Sequence, residues 1–264
     1  MKGFLKPLWA YRGFIYGSVK REFQSKYKNS LLGGAWTVLN PLAMILVYTI
    51  IFSQVMRAKL PGIESGFAYS IYLCAGLLTW GLFAEIVGRG QSVFIENANL
   101  LKKISFPRMC LPIITILNAS LNFAIIFALF LVFLIVIGFW PGWIIITLIP
   151  ILIVQILLAI GLGITLGVLN VFFRDVGQFF GIFLQFWFWL TPIVYPATIL
   201  PESIKSVMLI NPMFPIIQAY QGIFVQGTTP DFIALLYPLI LGVGLCALGF
   251  NLFRKHVGEM VDEL

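Results

Sequence analysis

Six apolar stretches, each long enough to cross a bilayer, are separated by short polar segments along this chain of 264 residues. A helix that crosses about 30 Å of hydrocarbon needs roughly 20 apolar residues, each adding about 1.5 Å. Backbone amides in lipid must be satisfied within their own segment, so the stretches predict helices and not open strands. The predicted spans are residues 33–56, 67–87, 111–139, 143–173, 177–195 and 232–253. The pattern therefore predicts an all-α, polytopic membrane protein.

Composition strengthens this prediction. Hydrophobic residues make up 60% of the chain, charged residues only 10%, and the mean hydropathy is +1.00. A soluble domain of similar length carries about 25% charged residues. A chain with so few charged residues cannot form the polar surface of a water-soluble protein. The composition therefore excludes the soluble classes of protein.

The basic residues predict the orientation. An even number of spans puts both termini on one side, and all of the 17 Lys and Arg residues except Arg57, Lys59 and Lys205 lie on that side. By the positive-inside rule this side is the cytoplasm. The net charge of +7 then reflects topology and attraction to anionic membrane lipids, and nucleic acid is not an expected partner.

Residues 1–30 form a basic segment ahead of the six-span region, residues 31–264. Large apolar residues recur on one broad helical face, with three basic residues towards the other. The apolar set is Trp9, Phe14, Ile15, Val19 and Phe23, and the basic set is Arg12, Lys20 and Arg21. This arrangement predicts an amphipathic helix at the cytoplasmic interface of the membrane. The alternative, a plain topogenic anchor, explains the charge alone.

The longest cytoplasmic loop predicts a short helix over about residues 96–106. Leu100, Leu101 and Ile104 fall on one side, and Lys102 and Lys103 flank them. Proline at 107 ends the helix before the third span. A short amphipathic helix of this kind can dock into a groove on a soluble partner. A solvated positive-inside loop is the alternative.

Glu85 and Arg89 lie one helical turn apart near the inner end of the second span. Charges at this depth are costly and usually pair or face water. The spacing therefore predicts either an i,i+4 ion pair or part of a polar pathway.

The fifth span is unusually aromatic. Phe179, Phe183 and Phe186 recur at i, i+4 and i+7, and Trp187 belongs to a neighbouring stripe. Aromatic faces bind the C–H faces of sugars, whereas packing between helices and contact with lipid are the alternative explanations.

After this span, an external segment of about residues 196–231 is punctuated by prolines. Asn211-Pro212 is typical of a helix start, and the apolar run that follows is too short to cross. The sequence predicts two short helices here, the second of them re-entrant.

Motifs for catalysis are absent from the sequence. Cys74, Cys110 and Cys246 form no CxxC pair, and His256 is the single histidine. The chain contains no G-x-x-x-x-G-K-[ST] phosphate-binding loop, GxSxG or HExxH. We therefore expect a membrane conduit with no catalytic residues, metal or cofactor of its own.

A set of short segments in fixed order carries a family resemblance. They are REFQSKYKNSLLGGAW at 21–36, LNPL at 39–42, NANLLKK at 97–103, FPR at 106–108, LNVFFRD at 169–175, TPIVY at 191–195 and NP at 211–212. Together they resemble the transmembrane subunit of type-2 ABC exporters for polysaccharides, the group that handles O-antigen, capsule and teichoic acid. The chain looks most like the O-antigen branch, especially the exporter of common-polysaccharide (A-band-like) lipopolysaccharide.

The resemblance implies a homodimer that binds two copies of a separate ABC ATPase, which would hold the ATP and Mg²⁺. It also implies a cargo of polysaccharide on undecaprenyl diphosphate and a location in the bacterial inner membrane, with a channel at the dimer interface. Three sets of residues acquire expected roles. The coupling helix that docks on the ATPase would use Asn97, Leu100, Leu101, Lys102, Lys103 and Ile104. The gate that meets the lipid diphosphate would use Arg12, Lys20, Arg21, Lys26 and Lys28. The aromatic lining of the channel would use Phe179, Phe183, Phe186, Trp187 and Tyr195.

Two other functions compete with this one. A type-2 ABC permease for capsule, teichoic acid, a drug or a lipid would share the architecture. The aromatic fifth span and the family segments argue against a drug or a small lipid. A membrane-embedded transferase acting on lipid-linked sugar would need convergent acids, a histidine or a metal site, which this sequence does not suggest.

Overall fold

A computed structural model describes residues 9–25, 32–55, 60, 66–103 and 106–264. Its elements are helical throughout these residues. The α-helices are α1 (Arg12–Ser25), α2 (Trp36–Thr49), α3 (Ala68–Glu96), α4 (Ala98–Lys103), α5 (Cys110–Val136), α6 (Leu148–Phe172), α7 (Asp175–Leu190), α8 (Glu202–Met208), α9 (Met213–Gln221), α10 (Leu236–His256) and α11 (Glu259–Glu263). Short 3₁₀ or π-helical turns extend α2, α6 and α9.

Five helical segments in the described part of the chain are long and apolar enough to cross a membrane. They are Gly33–Phe52, Ala68–Glu96, Cys110–Val136, Gly142–Phe172 and Leu236–His256. Five of the six predicted spans are thus confirmed as long apolar helices. The second is longer than predicted, because α3 continues past Val87 to Glu96 and so includes Arg89. The orientation prediction also used Arg57 and Lys59, which lie outside the described residues.

The fifth predicted span was wrong in its helical length. The α7 helix has 16 residues and ends at Leu190, whereas the prediction continued to Tyr195. The helix stops because Pro192 follows Thr191, and a residue before proline is driven to extended backbone; Thr191 has ψ of 133°. Sixteen helical residues cover about 24 Å, less than the hydrocarbon thickness.

The non-helical end of this segment completes the crossing. Near its start, the backbone N–H of Gly177 donates to the side-chain oxygen of Asn170. The side-chain amide of Asn170 in turn donates to the carbonyl of Gln91 on α3. At its end, Tyr69 of α3 donates to the carbonyl of Val194. These two positions on α3 are about 30 Å apart at about 1.5 Å per residue. The segment therefore runs antiparallel to α3 over a bilayer's depth, and six crossings are retained.

The two predicted external helices are present as α8 and α9. With its π-helical extension, α9 reaches Gln226, and the two helices meet at a bend of 106°. The backbone N–H of Met213 donates to the Asn211 side chain at 3.0 Å, as the Asn-Pro start predicted. Ile216, Ile217 and Ile223 are fully buried against the core, which accounts for the apolar run in an external segment.

Glycines allow α3, α6 and α10 to pack with their backbones in contact. A Cβ added at Gly167 of α6 would lie 2.5 Å from the carbonyl oxygen of Gly90 on α3, and one at Gly161 would lie 2.6 Å from the nitrogen of Cys246 on α10. Backbone atoms cannot move aside as a flexible side chain can. The helix α3 is the most enclosed span, whereas α2 is exposed along most of its length.

The substitution Gly167→Ala is expected to destabilise the protein by about 2–3 kcal/mol, because it forces α3 and α6 apart at a close backbone contact. Thermal unfolding of the detergent-solubilised protein measures this loss. The matched control is Gly244→Ala on α10, where an added Cβ meets nothing within 4 Å. Equal melting temperatures for the two variants would contradict the proposed tight contact.

Candidate functional site

The short helix α4, which the sequence predicts to be cytoplasmic, follows α3 after one residue. Asn97 forms the junction: its side-chain amide donates to the carbonyl of Val93 at 2.8 Å, and its own carbonyl accepts from the backbone N–H groups of Leu100 and Leu101 at 3.0 Å. Asn97 therefore connects the start of α4 to the last turn of α3.

The apolar side of α4 faces the chain itself. Leu101 is only 7% exposed and belongs to an apolar cluster with Phe94 of α3 and Met260 of α11, while Leu100 packs at its edge. The exposed positions are Asn99 and Lys102. The expected docking face of Leu100, Leu101 and Ile104 is thus revised, because the C-terminal helix covers Leu101. Ile104 and the side chain of Lys103 lie outside the described residues.

The N-terminal helix α1 has the predicted amphipathic division. Ile15 and Val19 are buried against Cys110 and Ile114 of α5, and the ring centroids of Phe14 and Phe106 are 5.2 Å apart. The apolar face therefore packs mainly on protein. Trp9 differs from the prediction, because it is 72% exposed and lies beneath the guanidinium of Arg12.

The basic face of α1 is free of the core. Arg12, Lys20 and Arg21 are exposed, and Arg21 donates to the Ser18 hydroxyl at 2.9 Å. The remaining predicted gate residues, Lys26 and Lys28, lie outside the described part of the chain. All three described cations are thus accessible along α1.

A polar cluster ties α1 to α3 and α5. Arg89 pairs with Glu22 of α1 and lies 3.6 Å from Glu85 on its own helix. Asn118 of α5 donates to the other carboxylate oxygen of Glu22, and Asn122 donates to Glu85 at 2.9 Å. Glu85 and Arg89 thus form the i,i+4 ion pair that the spacing allowed, within a larger network.

Sequence reasoning missed Glu22 as a member of this network. The available signal was an acid inside a strongly basic segment, flanked by Arg21 and followed by Lys26. A cavity of about 350 Å³ adjoins the cluster and separates α1 from α4. Its polar walls come from Ser18, Glu22, Arg89, Glu96 and Asn97.

The helix α7 presents most of its aromatic face outwards. Leu184 is the single buried residue of this helix. Phe179 is 69% exposed, Phe186 66% and Phe183 38%. The rings of Phe179 and Phe183, one helical turn apart, stack with their centroids 6.4 Å apart. Gln185 is also exposed, about 100° around the helix from Phe186. Exposed rings and an amide on one helix have the chemistry of a sugar contact surface.

Trp187 does not belong to that face. Its ring packs edge-on against Phe83 at 5.2 Å and Trp80 at 5.9 Å, and its indole N–H donates to Asn211 at 2.8 Å. The side chain therefore joins α7 to α3 and to the start of α9. The predicted lining is corrected at this position, because the helical twist turns residue 187 towards α3.

Two further aromatic side chains lie near the C-terminal end of α7. Trp189 is 63% exposed and was not included in the predicted lining. Tyr195 is half-buried, and its hydroxyl donates to the carbonyl of Trp189 at 2.8 Å. Tyr195 thus braces the end of α7 as well as adding a ring to it.

Comparison with known proteins supports the resemblance found in the motifs. The ABC-2 type transporter family matches residues 15–225, which reach from α1 through α9. The O-antigen export system permease protein RfbA of Myxococcus xanthus is 32% identical over 98% of both chains. A protein of that name from Klebsiella pneumoniae is 32% identical over 89% of this chain and 88% of its own. The polysialic acid transport protein KpsM of Escherichia coli is 23% identical over 92% of this chain and 93% of its own.

These matches cover all the surfaces described above: the basic helix, the short cytoplasmic helix, the aromatic face and the external pair. The family match spans most of the chain, and relatives above 30% identity extend over nearly all of it. This multi-pass membrane protein therefore belongs to the ABC-2 type transporter family.

Proposed function

We propose that this chain is the membrane subunit of an ATP-driven exporter that carries O-antigen polysaccharide, linked to undecaprenyl diphosphate, across the bacterial inner membrane for lipopolysaccharide assembly. The observation that carries the proposal is the outward aromatic face of α7, with an exposed amide on the same helix, in a chain related to O-antigen export permeases. Rings for sugar C–H faces and amides for hydroxyl groups suit a carbohydrate polymer better than a drug.

Two copies of the chain form the channel in this proposal. The α2 helix exposes large apolar residues around most of its surface, and α7 exposes its aromatic face. If two such chains meet along these helices, the aromatic faces line the space between them. The dimer also gives each face a partner across the channel, so the polymer is contacted on two sides.

Two copies of a separate ABC ATPase drive the cycle from the cytoplasm and hold the ATP and Mg²⁺. The exposed positions of α4, Asn99 and Lys102, are the proposed contacts for these subunits. Their movement reaches α3 through Asn97. The termini lie on this cytoplasmic side, in keeping with the basic residues.

The basic surface of α1 is the proposed entry for the lipid diphosphate. Arg12, Lys20 and Arg21 supply positive charge at the expected level of the headgroups, and cations there attract phosphates. The Glu22–Arg89 pair holds this helix against α3. Entry then requires α1 to shift, and the ion pair sets how firmly the gate is closed.

A capsule polysaccharide is the second candidate cargo, since a polysialic acid transport protein is also related. The higher identity to the O-antigen proteins favours the first, at 32% against 23%.

Inverted membrane vesicles from cells that produce the lipid-linked polymer test the proposal. The chain is expressed with its ATPase, and entry of polymer into the vesicle lumen is followed with and without ATP. We expect uptake only when both ATP and the ATPase are present. Uptake without ATP would rule out an ABC mechanism, and polymer modification without uptake would indicate a transferase.

The variant Lys102→Glu is expected to uncouple transport from ATP hydrolysis. It reverses the one described charge on the exposed side of α4, so docking of the ATPase weakens and export falls about tenfold or more. Co-purification of the ATPase measures docking directly. The control is Lys255→Glu, an equally exposed charge at the end of α10; if it lowers co-purification as much, α4 is not the docking site.

A further inference from the structure

A second polar cavity, of about 340 Å³, opens on the external side of the chain. Its walls are the turn after α7, one side of α9 and the connection that leads to α10. Its polar lining includes Tyr72, Thr198, Gln218, Gln221, Gln226 and Thr229. The volume lies near the lower end of small-molecule sites, about 300–1,000 Å³, which suits roughly one or two sugar rings.

The inner wall of this cavity is fixed by buried hydrogen bonds. Tyr72 is 8% exposed, and its hydroxyl lies 3.1 Å from the carbonyl oxygen of Pro192 and 3.0 Å from that of Tyr195. Gln221 is 4% exposed and donates to the same Pro192 carbonyl at 3.3 Å. These bonds join the cavity to the external end of α7, and a fixed wall binds with less ordering cost.

The outer wall carries polar groups with unused bonding capacity. Thr198, Gln218, Gln226 and Thr229 are exposed, and their side chains form no hydrogen bond with the described part of the chain. Amides and hydroxyls both donate and accept, as sugar hydroxyl groups do. The four side chains therefore match an alcohol-rich ligand.

The charge of the residues that line the cavity favours a sugar over an anion as the ligand. No Lys, Arg or His occurs among the residues that line the described cavity, whereas Asp231 does. The Asp231 carboxylate accepts from the backbone N–H groups of Ile233 and Ala234 at 2.9 and 3.2 Å. A phosphate would meet this carboxylate without a compensating cation. The rings of Pro196, Pro215 and Pro230 add apolar surface for the C–H face of a pyranose.

We infer that this cavity binds an uncharged sugar unit of the exported polymer as it leaves the aromatic face of α7. The inference rests on the proposed function, because it takes the cargo to be a polysaccharide. It adds an external subsite beyond the channel. A sugar held here resists backward movement of the polymer between ATPase cycles.

Photo-crosslinking to the cell's own lipid-linked polymer tests the subsite. Azidophenylalanine replaces Thr229 at the cavity, Ser203 on the exposed part of α8 outside it, or Phe186 on the aromatic face. Each full-length chain is expressed with its ATPase, irradiated, purified and stained for glycan. We expect a polymer ladder on the chain from positions 229 and 186 and none from 203.

The three positions separate the two proposals. A ladder from 186 without one from 229 overturns the subsite and leaves the exporter intact. Ladders of equal strength from 229 and 203 also overturn it, because they show unspecific contact. A phospholipid adduct at 229, identified by mass, replaces the sugar with a membrane lipid. No ladder from 186 or 229 contradicts both proposals.

The double variant Gln218→Ala/Thr229→Ala removes two of the side chains proposed to hydrogen-bond the sugar, and both are exposed, so the core is unchanged. Export at limiting polymer is expected to fall roughly tenfold, since a hydrogen bond contributes about 0.5–1.5 kcal/mol. The matched control is Ser203→Ala/Ser206→Ala on α8, which should export normally. Equal export by the two double variants would remove the site from the transport path.

Discussion

Reversing the charge at Glu22 with Glu22→Arg is expected to lower polysaccharide export at least tenfold, and adding Arg89→Glu is expected to restore part of it. The single change places two guanidinium groups against each other where α1 meets α3. It also removes the carboxylate to which Asn118 donates. The double change restores an ion pair of opposite polarity between the same two helices, but the carboxylate at position 89 then repels Glu85, so recovery is partial.

The stability effect of the single change should be modest. The side chains of Arg89 and Glu22 are 36% and 41% exposed, so water screens their attraction, and such pairs contribute about 0–1 kcal/mol. Repulsion in the variant adds a similar amount. We therefore expect the protein to fold and insert while α1 loses its fixed position, so that export falls more than expression does.

Polymer uptake into vesicles and ATP hydrolysis are measured for the wild type, both single variants and the double variant. The control is the swap Glu202→Lys/Lys205→Glu on external α8, which reverses a pair joined at 2.7 Å far from α1. If the Glu22/Arg89 double variant exports no better than either single variant, the pair is not what positions α1.

Much of the fold follows from hydrophobic length and from proline. Apolar runs of about 20 residues and the basic residues at their ends fix the long helices and their order. Asn211-Pro212 marked the start of α9 correctly. Pro192 carried the signal that ends α7 at Leu190, but hydropathy alone extended the predicted helix past it to Tyr195.

The site was harder to predict, because its contacts join distant parts of the chain. The Glu22–Arg89 pair spans 67 positions, and neither residue's local sequence specifies the other. Leu101 was expected to face a partner, since the sequence does not show that Met260 returns to cover it. Helical periodicity grouped Phe179, Phe183 and Phe186 correctly, but could not show that Trp187 turns to Trp80 and Phe83.

One helix connects the proposed parts of the exporter. Along α3, Tyr72 supports the external cavity, Trp80 and Phe83 hold α7, and Arg89 binds α1 before the chain enters α4. This helix has 29 residues and packs closely against α6 at glycine positions. In the proposed exporter, one continuous helix therefore connects the ATPase contact at α4 with the gate, the aromatic face and the exit.

Removing two exposed rings from α7 with Phe179→Ala/Phe186→Ala is expected to reduce export by roughly a factor of ten or more while leaving stability within about 1 kcal/mol. Both side chains are about two-thirds exposed in the single chain, so truncation leaves no cavity in its core. The polymer loses two platforms, each contributing about 0.5–1.5 kcal/mol beyond the area it covers.

Trp187→Ala is the matched comparison. We expect it to lower stability strongly and to change export per folded molecule little. Its ring packs against Trp80 and Phe83 and its indole N–H donates to Asn211, so truncation opens a cavity and removes one hydrogen bond to the Asn211 side chain. Buried Trp-to-Ala changes cost about 3–5 kcal/mol, and we expect about 2–3 kcal/mol here because Trp187 is partly buried. Melting temperature and export, normalised to folded protein, are measured for both variants. If the Phe179/Phe186 variant melts early and exports normally per folded molecule, those rings serve assembly of two chains and the polymer passes elsewhere.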